Sequence, residues 1–83
     1  MDKILKVRIN SPEKVVWEGE ALWVSSVNTK GPFDILPLHA NFITIIQKQT
    51  IRIKLASGEV QEYAFPNGVI YTHSNRVFIY TGL

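Results

Sequence analysis

The 83-residue sequence contains no cysteine, which excludes disulfide bridges, thiolate metal sites and thiol nucleophiles. No apolar run approaches the ~20 residues that a membrane-spanning helix requires. The start, MDKILKVRIN, alternates polar and apolar residues instead of building the apolar core of a signal peptide. We therefore expect a soluble chain from a reducing compartment, with no direct membrane insertion of its own.

Neither the basic nor the acidic residues are concentrated in one part of the sequence. Nine basic and seven acidic residues leave a formal charge of +2, and the basic ones are spread from Lys3 to Arg76 with acidic neighbours between them. Proteins that bind phosphates usually gather their cations on one stripe, because each neutralised phosphate adds a counterion-release contribution. The charge pattern therefore argues against a nucleic-acid partner.

The composition is that of a small globular protein. Hydrophobic residues make up 46% of the chain and charged residues 19%, which separates it from disordered sequences. A chain of this length builds one core and leaves little room for a large cleft. We expect a single domain over residues 1–83.

Apolar and polar residues alternate along most of the sequence. Leu5, Val7 and Ile9 alternate with Lys6 and Arg8, as in a strand with one buried face. The runs NFITIIQ, TIRIKL and RVFIYT are rich in β-branched residues, and no segment has helical periodicity. These features predict an all-β, antiparallel β-sandwich of about ten short strands.

Glycine and proline residues divide the predicted strands. Gly19 is expected to bend or bulge the first long run, and Pro66-Asn67-Gly68 to separate two later strands. Further turns are predicted at Ser11–Glu13, Asn28–Gly31, Ala56–Glu59 and His73–Asn75.

The residues available for acid–base or metal chemistry are few. His39 could act as a general base only with a nucleophile or an orienting carboxylate beside it, and the nearest one in sequence, Asp34, lies across a proline-containing turn. A histidine that hydrogen-bonds the backbone explains His39 as well. His73 lies in a predicted turn and should face solvent. Two histidines without a carboxylate at ligand spacing make a poor metal site, and we expect no cofactor.

Aromatic residues in the predicted strands allow two interpretations. They could be stacking platforms of a small β-barrel module that binds oligonucleotides, or they could fill the core and pair across strands. Both interpretations remain open for Trp17, Trp23, Tyr63, Tyr71 and Tyr80.

The segment GPFDILPLHANF, residues 31–42, is unusual for either a strand or a helix. Pro32 and Pro37 cannot donate ladder hydrogen bonds, so the segment should lie at a sheet edge or form a protruding ridge. Such a ridge suits protein recognition, with apolar area from Phe33, Ile35 and Leu38. A structural corner, with Ile35 and its neighbour Leu36 in the core, explains the same features.

Two segments together resemble the amino-terminal domain of the epsilon subunit of F-type ATP synthases. SPEKVVWEGEA at 11–21 is similar to a family pattern with T/S-P-E followed by G-E-A, and GPFDILPLHA at 31–40 to E-G-x-x-G-I-L/Y-P-G-H-A. The later segments IRIKLASGEVQEYAF, GVIYTH and RVFIY follow the same order of strands and turns. The resemblance covers essentially the whole chain.

The resemblance implies a β-sandwich that acts as a non-catalytic rotor subunit. In the family this domain packs on the gamma subunit and touches the polar loops of the c-ring, as the rotor couples ion flow to ATP synthesis. A peripheral position at the cytoplasmic face of a bacterial plasma membrane is implied. Family members usually continue into a carboxy-terminal helical hairpin, and this sequence stops at Leu83, so we expect no such hairpin in the chain.

The resemblance also implies where the c-ring contact lies. The corresponding loop positions are Gly31, Pro32, Asp34, Ile35, Pro37, His39 and Ala40. The sequence departs from the family pattern at three positions: Pro32 stands where many members have an acidic residue, and Asp34 and Leu38 stand where they have glycine. One interpretation is that the negative charge has moved to Asp34, where it would attract basic c-ring loops.

Overall fold

A computed structural model describes residues 4–38 and 41–82 of the chain, and these residues form strands and turns without a helix. The strands are β1 (Leu5–Asn10), β2 (Val15–Asn28), β3 (Gly31–Ile35), β4 (Phe42–Leu55), β5 (Val60–His73) and β6 (Arg76–Thr81). The predicted all-β class is confirmed. Within the described residues, no helix is long and apolar enough to cross a membrane.

The strands are fewer and longer than the roughly ten short ones expected from turn signals. Strands β2, β4 and β5 each have 14 residues. The predicted break at Gly19 is absent because β2 runs through it. The irregularities of β2 lie between Val15 and Trp17 in its pairing with β1, and between Ala21 and Trp23 in its pairing with β4. Gly19 instead makes room for an indole, since a Cβ there would lie 2.6 Å from Cζ2 of Trp17.

The predicted break at Pro66-Asn67-Gly68 is also absent, since β5 continues through these residues. Pro66 falls between the ladder pairs Gln47–Asn67 and Gln49–Phe65. Lys48, the β4 residue between Gln47 and Gln49, has a left-handed backbone conformation with a φ of 55°. The proline removes one ladder donor but does not end the strand, because pairs on both sides keep the register.

The strands close on themselves around one core. Their order is β1-β6-β5-β4-β2-β3, and a further pairing joins β1 to β2. Ala21 marks the place where β2 changes partners, since it lies opposite Leu5 of β1 and Leu55 of β4. The long strands therefore take part in both layers of the predicted sandwich.

Antiparallel pairing dominates, as predicted. Five of the six pairings are antiparallel, and the parallel one joins β1 to β6. A parallel pair is possible here because β1 and β6 are not consecutive in the chain and need no crossover connection.

The alternation predicted for β1 is confirmed, with Leu5, Val7 and Ile9 buried and Lys6 and Arg8 exposed. Aliphatic residues from every strand form the core: Leu5, Val7, Ile9, Ala21, Val24, Ile35, Ile46, Ile51, Ile53, Ile70, Val77 and Ile79. Burial of this apolar area is the main stabilising contribution to the fold.

Candidate interaction surfaces

The first part of the predicted contact loop is an edge strand. Pro32 and Pro37 had indicated either a sheet edge or a protruding ridge for this segment. Residues Gly31–Ile35 form β3, which is last in the sheet order and pairs with β2. Gly31 has a φ of 116° and lies opposite Asn28 across a two-residue turn. The side chain of Asn28 supports this turn, because its Oδ1 accepts a hydrogen bond from the backbone N–H of Lys30 at 2.8 Å.

The predicted contact residues differ in exposure. Pro32 and Asp34 are exposed, Gly31 and Pro37 are half-buried, and Ile35 is fully buried opposite Val24. Ile35 therefore anchors the segment in the core instead of presenting a surface. His39 and Ala40, which include the candidate general base, lie outside the described residues.

The exposed apolar area of this segment comes from residues after β3. Leu36 is 48% exposed and Leu38 is 66% exposed. Phe33, by contrast, is half-buried and packs edge-on against Phe42, with ring centroids 5.9 Å apart. We call Leu36–Leu38 the tip.

The tip is held by the β5–β6 turn. Leu38 has a φ of 65°, and its backbone N–H donates a hydrogen bond to Oδ1 of Asn75 at 2.6 Å. In the other direction, the backbone N–H of Ser74 donates to Oδ1 of Asn41 at 3.2 Å. Sequence reasoning missed both asparagines, although the turn itself was predicted at His73–Asn75 and is confirmed, with positive φ at Ser74 and Asn75.

A second exposed surface lies on the outer side of β4, β5 and β6. Ile43 and Ile45 are 66% and 63% exposed, and they lie opposite Tyr71 and Val69 of β5. These in turn face two aromatic residues of β6. We call this surface the apolar face; its members are Ile43, Ile45, Val69, Tyr71, Phe78 and Tyr80.

Aromatic rings form a column through the apolar face. Tyr71 stacks on Phe78 with centroids 6.3 Å apart, and Phe78 stacks on Tyr80 at 6.5 Å. His73 is exposed, as predicted, and its ring stacks on Tyr71 at 6.2 Å. Trp17 and Tyr63 pack against the core, and Tyr71 stacks across strands, as the interpretation of core filling and cross-strand pairing predicted. The oligonucleotide-binding interpretation stays a prediction.

Charged side chains border the apolar face on its β1 side. Arg8 lies opposite Phe78, and Lys6 lies opposite Arg76. Arg8 forms an ion pair with Glu18 of β2 at 3.4 Å. A trough of about 370 Å³ runs along these residues. A central apolar area with a charged border is the usual composition of a protein–protein interface.

The described residues, 4–38 and 41–82, contain no group of three His, Asp or Glu side chains that could hold a metal ion. Burial raises the pKa of Tyr63 above its ordinary value, and its hydroxyl donates to Oε1 of Gln61 at 2.9 Å. This tyrosine packs against the core, away from both exposed surfaces.

The sequence is similar to known ATP synthase subunits. The family model described as ATP synthase, Delta/Epsilon chain, beta-sandwich domain matches residues 4–82. The ATP synthase epsilon chain of Clostridium novyi is 29% identical over 79 residues, covering 95% of this chain and 60% of that protein. The chloroplastic epsilon chain of Bigelowiella natans is 38% identical over 80 residues, covering 93% and 57%. The chain thus spans about 60% of the length of these relatives.

Solved structures share the fold. A chain in the cryo-EM structure of the Euglena gracilis mitochondrial ATP synthase, comprising OSCP, F1 and the c-ring, superimposes with a TM-score of 0.90 at 11% identity, covering 98% of this chain and 52% of that one. A chain in the central stalk and c-ring structure of the Tetrahymena thermophila mitochondrial ATP synthase gives 0.77 at 14% identity, covering 96% and 63%. Since the family model covers nearly the whole sequence, the chain belongs to the β-sandwich domain family of ATP synthase delta and epsilon chains.

Proposed function

We propose that this chain is a non-catalytic subunit of the central stalk of an F-type ATP synthase. In this role it binds the gamma subunit through one surface and the polar loops of the c-ring through another. The family match and the epsilon-chain relatives support the role. The relatives include bacterial proteins, which favours a peripheral position at the cytoplasmic face of a bacterial plasma membrane.

The apolar face is the observation that carries the proposal. Ile43 and Ile45 are each about two-thirds exposed on one side of the same strand, beside the aromatic column. Soluble monomers seldom leave a contiguous apolar area of this kind in water unless a partner covers it. A broad apolar centre with a charged border fits a lasting subunit contact, and we assign it to the gamma subunit.

The tip and β3 offer a second, separate contact. The tip follows β3 and is hydrogen-bonded to the β5–β6 turn, so it lies at the same end of the domain as that turn, close to strands of the apolar face. Pro32 and Asp34 are exposed on the neighbouring edge strand. We assign this end to the c-ring, with Gly31, Ile35 and Pro37 shaping the segment. Contacts from His39 and Ala40 remain part of the proposal.

The proposal is tested by mixing the chain with its cognate gamma subunit and analysing the mixture by gel filtration. We expect the two to comigrate at micromolar concentration, because covering the apolar face favours association. Separate elution of the two proteins, combined with salt-dependent binding of labelled single-stranded DNA, would favour the oligonucleotide-binding module instead. That alternative has some support from the exposed rings of Tyr71 and Tyr80 near Arg8.

The charge at Asp34 gives a separate prediction. Asp34 is exposed on the edge strand, and attraction to basic c-ring loops would be lost in Asp34→Lys. We expect this variant to bind purified c-ring about three- to tenfold more weakly at low salt, and the difference to shrink at high salt as screening increases. Glu59→Lys, in the β4–β5 turn and outside β3 and the tip, is the matched control and should bind like the unmodified chain. Equal c-ring binding by both variants at low salt would mean that the charge of Asp34 does not contribute to c-ring binding.

A further inference from the structure

Leu38 presents a large aliphatic side chain from a backbone conformation that is unfavourable for it. Its φ of 65° lies in the left-handed region, where a side chain bearing a Cβ is disfavoured and glycine or asparagine is common. Its side chain is nevertheless 66% exposed. Core packing therefore does not explain why a leucine occupies this position.

The backbone conformation of Leu38 is held from outside the tip. Its N–H donates to Oδ1 of Asn75, which is 37 residues away in the sequence, at 2.6 Å. The backbone of Asn75 is itself fixed, because its carbonyl oxygen accepts a hydrogen bond from the N–H of Lys6 at 2.9 Å. The backbone N–H of Ser74 donates a further hydrogen bond to Oδ1 of Asn41, the residue before β4. The strained residue thus sits on a support built from three parts of the chain.

Strain that the surrounding structure maintains is characteristic of sites that make contacts. A glycine at position 38, as in the family pattern described above, would adopt the same φ at lower cost but would present no side chain. The leucine presents an aliphatic group at the end of the domain, next to the exposed Leu36.

We propose that Leu38 is a direct contact residue for the c-ring and that it packs against an aliphatic or aromatic side chain of the ring's loop. This inference rests on the proposed contact between the tip and the ring. It adds an apolar contact to an interface otherwise expected to be polar. The strained backbone aims the leucine outward, and the Asn75 hydrogen bond holds it in that direction before the ring binds, which reduces the ordering required on association.

Two substitutions at position 38 distinguish the effect of the side chain from the effect of the backbone strain. Leu38→Gly removes the side chain and relieves the strain, so we expect the melting temperature to rise by about 2 to 6 °C while binding to purified c-ring weakens about five- to twentyfold. Leu38→Ala keeps a Cβ at positive φ, so it should weaken ring binding similarly without the gain in melting temperature. Comigration with gamma should be unchanged in both.

Lys48→Gly is the matched control. Lys48 is exposed at a φ of 55° in β4, so this change also relieves strain, but away from the tip, and ring binding should stay the same. If the unmodified chain binds the ring and both Leu38 variants bind it equally well, the Leu38 contact is overturned and the proposed rotor role stands. Weakening by Leu38→Gly alone, with Leu38→Ala unaffected, overturns the side-chain contact as well. If the unmodified chain binds gamma but not the ring, the ring contact and this inference fail together.

Discussion

Replacing Ile53 by alanine is expected to lower the free energy of unfolding by about 2 to 4 kcal/mol. Ile53 is completely buried in β4, and the ladder places it opposite Val24 of β2 and Gln61 of β5. The substitution removes apolar contacts and leaves a cavity that close-packed neighbours fill only in part. The total stability expected for a domain of this length is about 4 to 12 kcal/mol, so the loss is a substantial part of it and should clearly lower the denaturation midpoint.

Urea denaturation followed by tryptophan fluorescence measures this loss, since Trp17 packs against the core. Arg52→Ala is the control on the adjacent position. Arg52 pairs with Glu62 at 2.9 Å, but both side chains are more than half exposed, and such surface pairs contribute little. We expect Arg52→Ala to cost less than about 1 kcal/mol. A similar midpoint for the two variants would mean that β4 does not bury Ile53 as described.

Replacing Ile45 by aspartate should weaken binding to the gamma subunit at least about 30-fold, if gamma covers the apolar face. Ile45 is 63% exposed, so the change leaves the core intact. In the complex, however, it would bury an unpaired carboxylate among apolar side chains, which is strongly unfavourable. Titration of gamma with the labelled chain gives the affinity.

Val60→Asp provides the comparison for this experiment. Val60 is an exposed apolar residue at the start of β5, outside the apolar face. The same change there should alter gamma affinity by less than about threefold, because it adds the same charge away from the interface. Both variants should keep the melting temperature of the unmodified chain. Equal affinities for the two aspartate variants would exclude the apolar face as the gamma contact.

The alternation of the sequence was sufficient to predict the all-β class and the buried side of β1. The predicted number of strands was wrong because it relied on Gly19 and Pro66 as strand ends. These are local signals, whereas strand length depends on pairing with distant residues. Along β5, twelve pairs with β4 maintain the register on both sides of Pro66. Pairing of this extent outweighs one missing donor, and a single sequence contains no direct sign of it.

The candidate surfaces were predictable only in part. NFITIIQ indicated a strand, but isoleucines occur at both odd and even positions, so the outward direction of Ile43 and Ile45 could not be read from alternation. The prolines indicated the edge position of β3. The conformation of Leu38 could not be predicted, because the Asn75 side chain that holds it comes from a turn 37 residues later.

The long strands have a mechanical consequence. The β4–β5 ladder extends without a change of register from Phe42–Thr72 to Lys54–Val60, and β2 joins β1 at one end and β3 and β4 at the other. Twisting one layer against the other would have to distort continuous backbone and break ladder hydrogen bonds, because no flexible linker separates the layers along these strands. Under torque the domain should therefore turn as one body, and elastic deformation between gamma and the c-ring would be taken up in the partners, not within this chain.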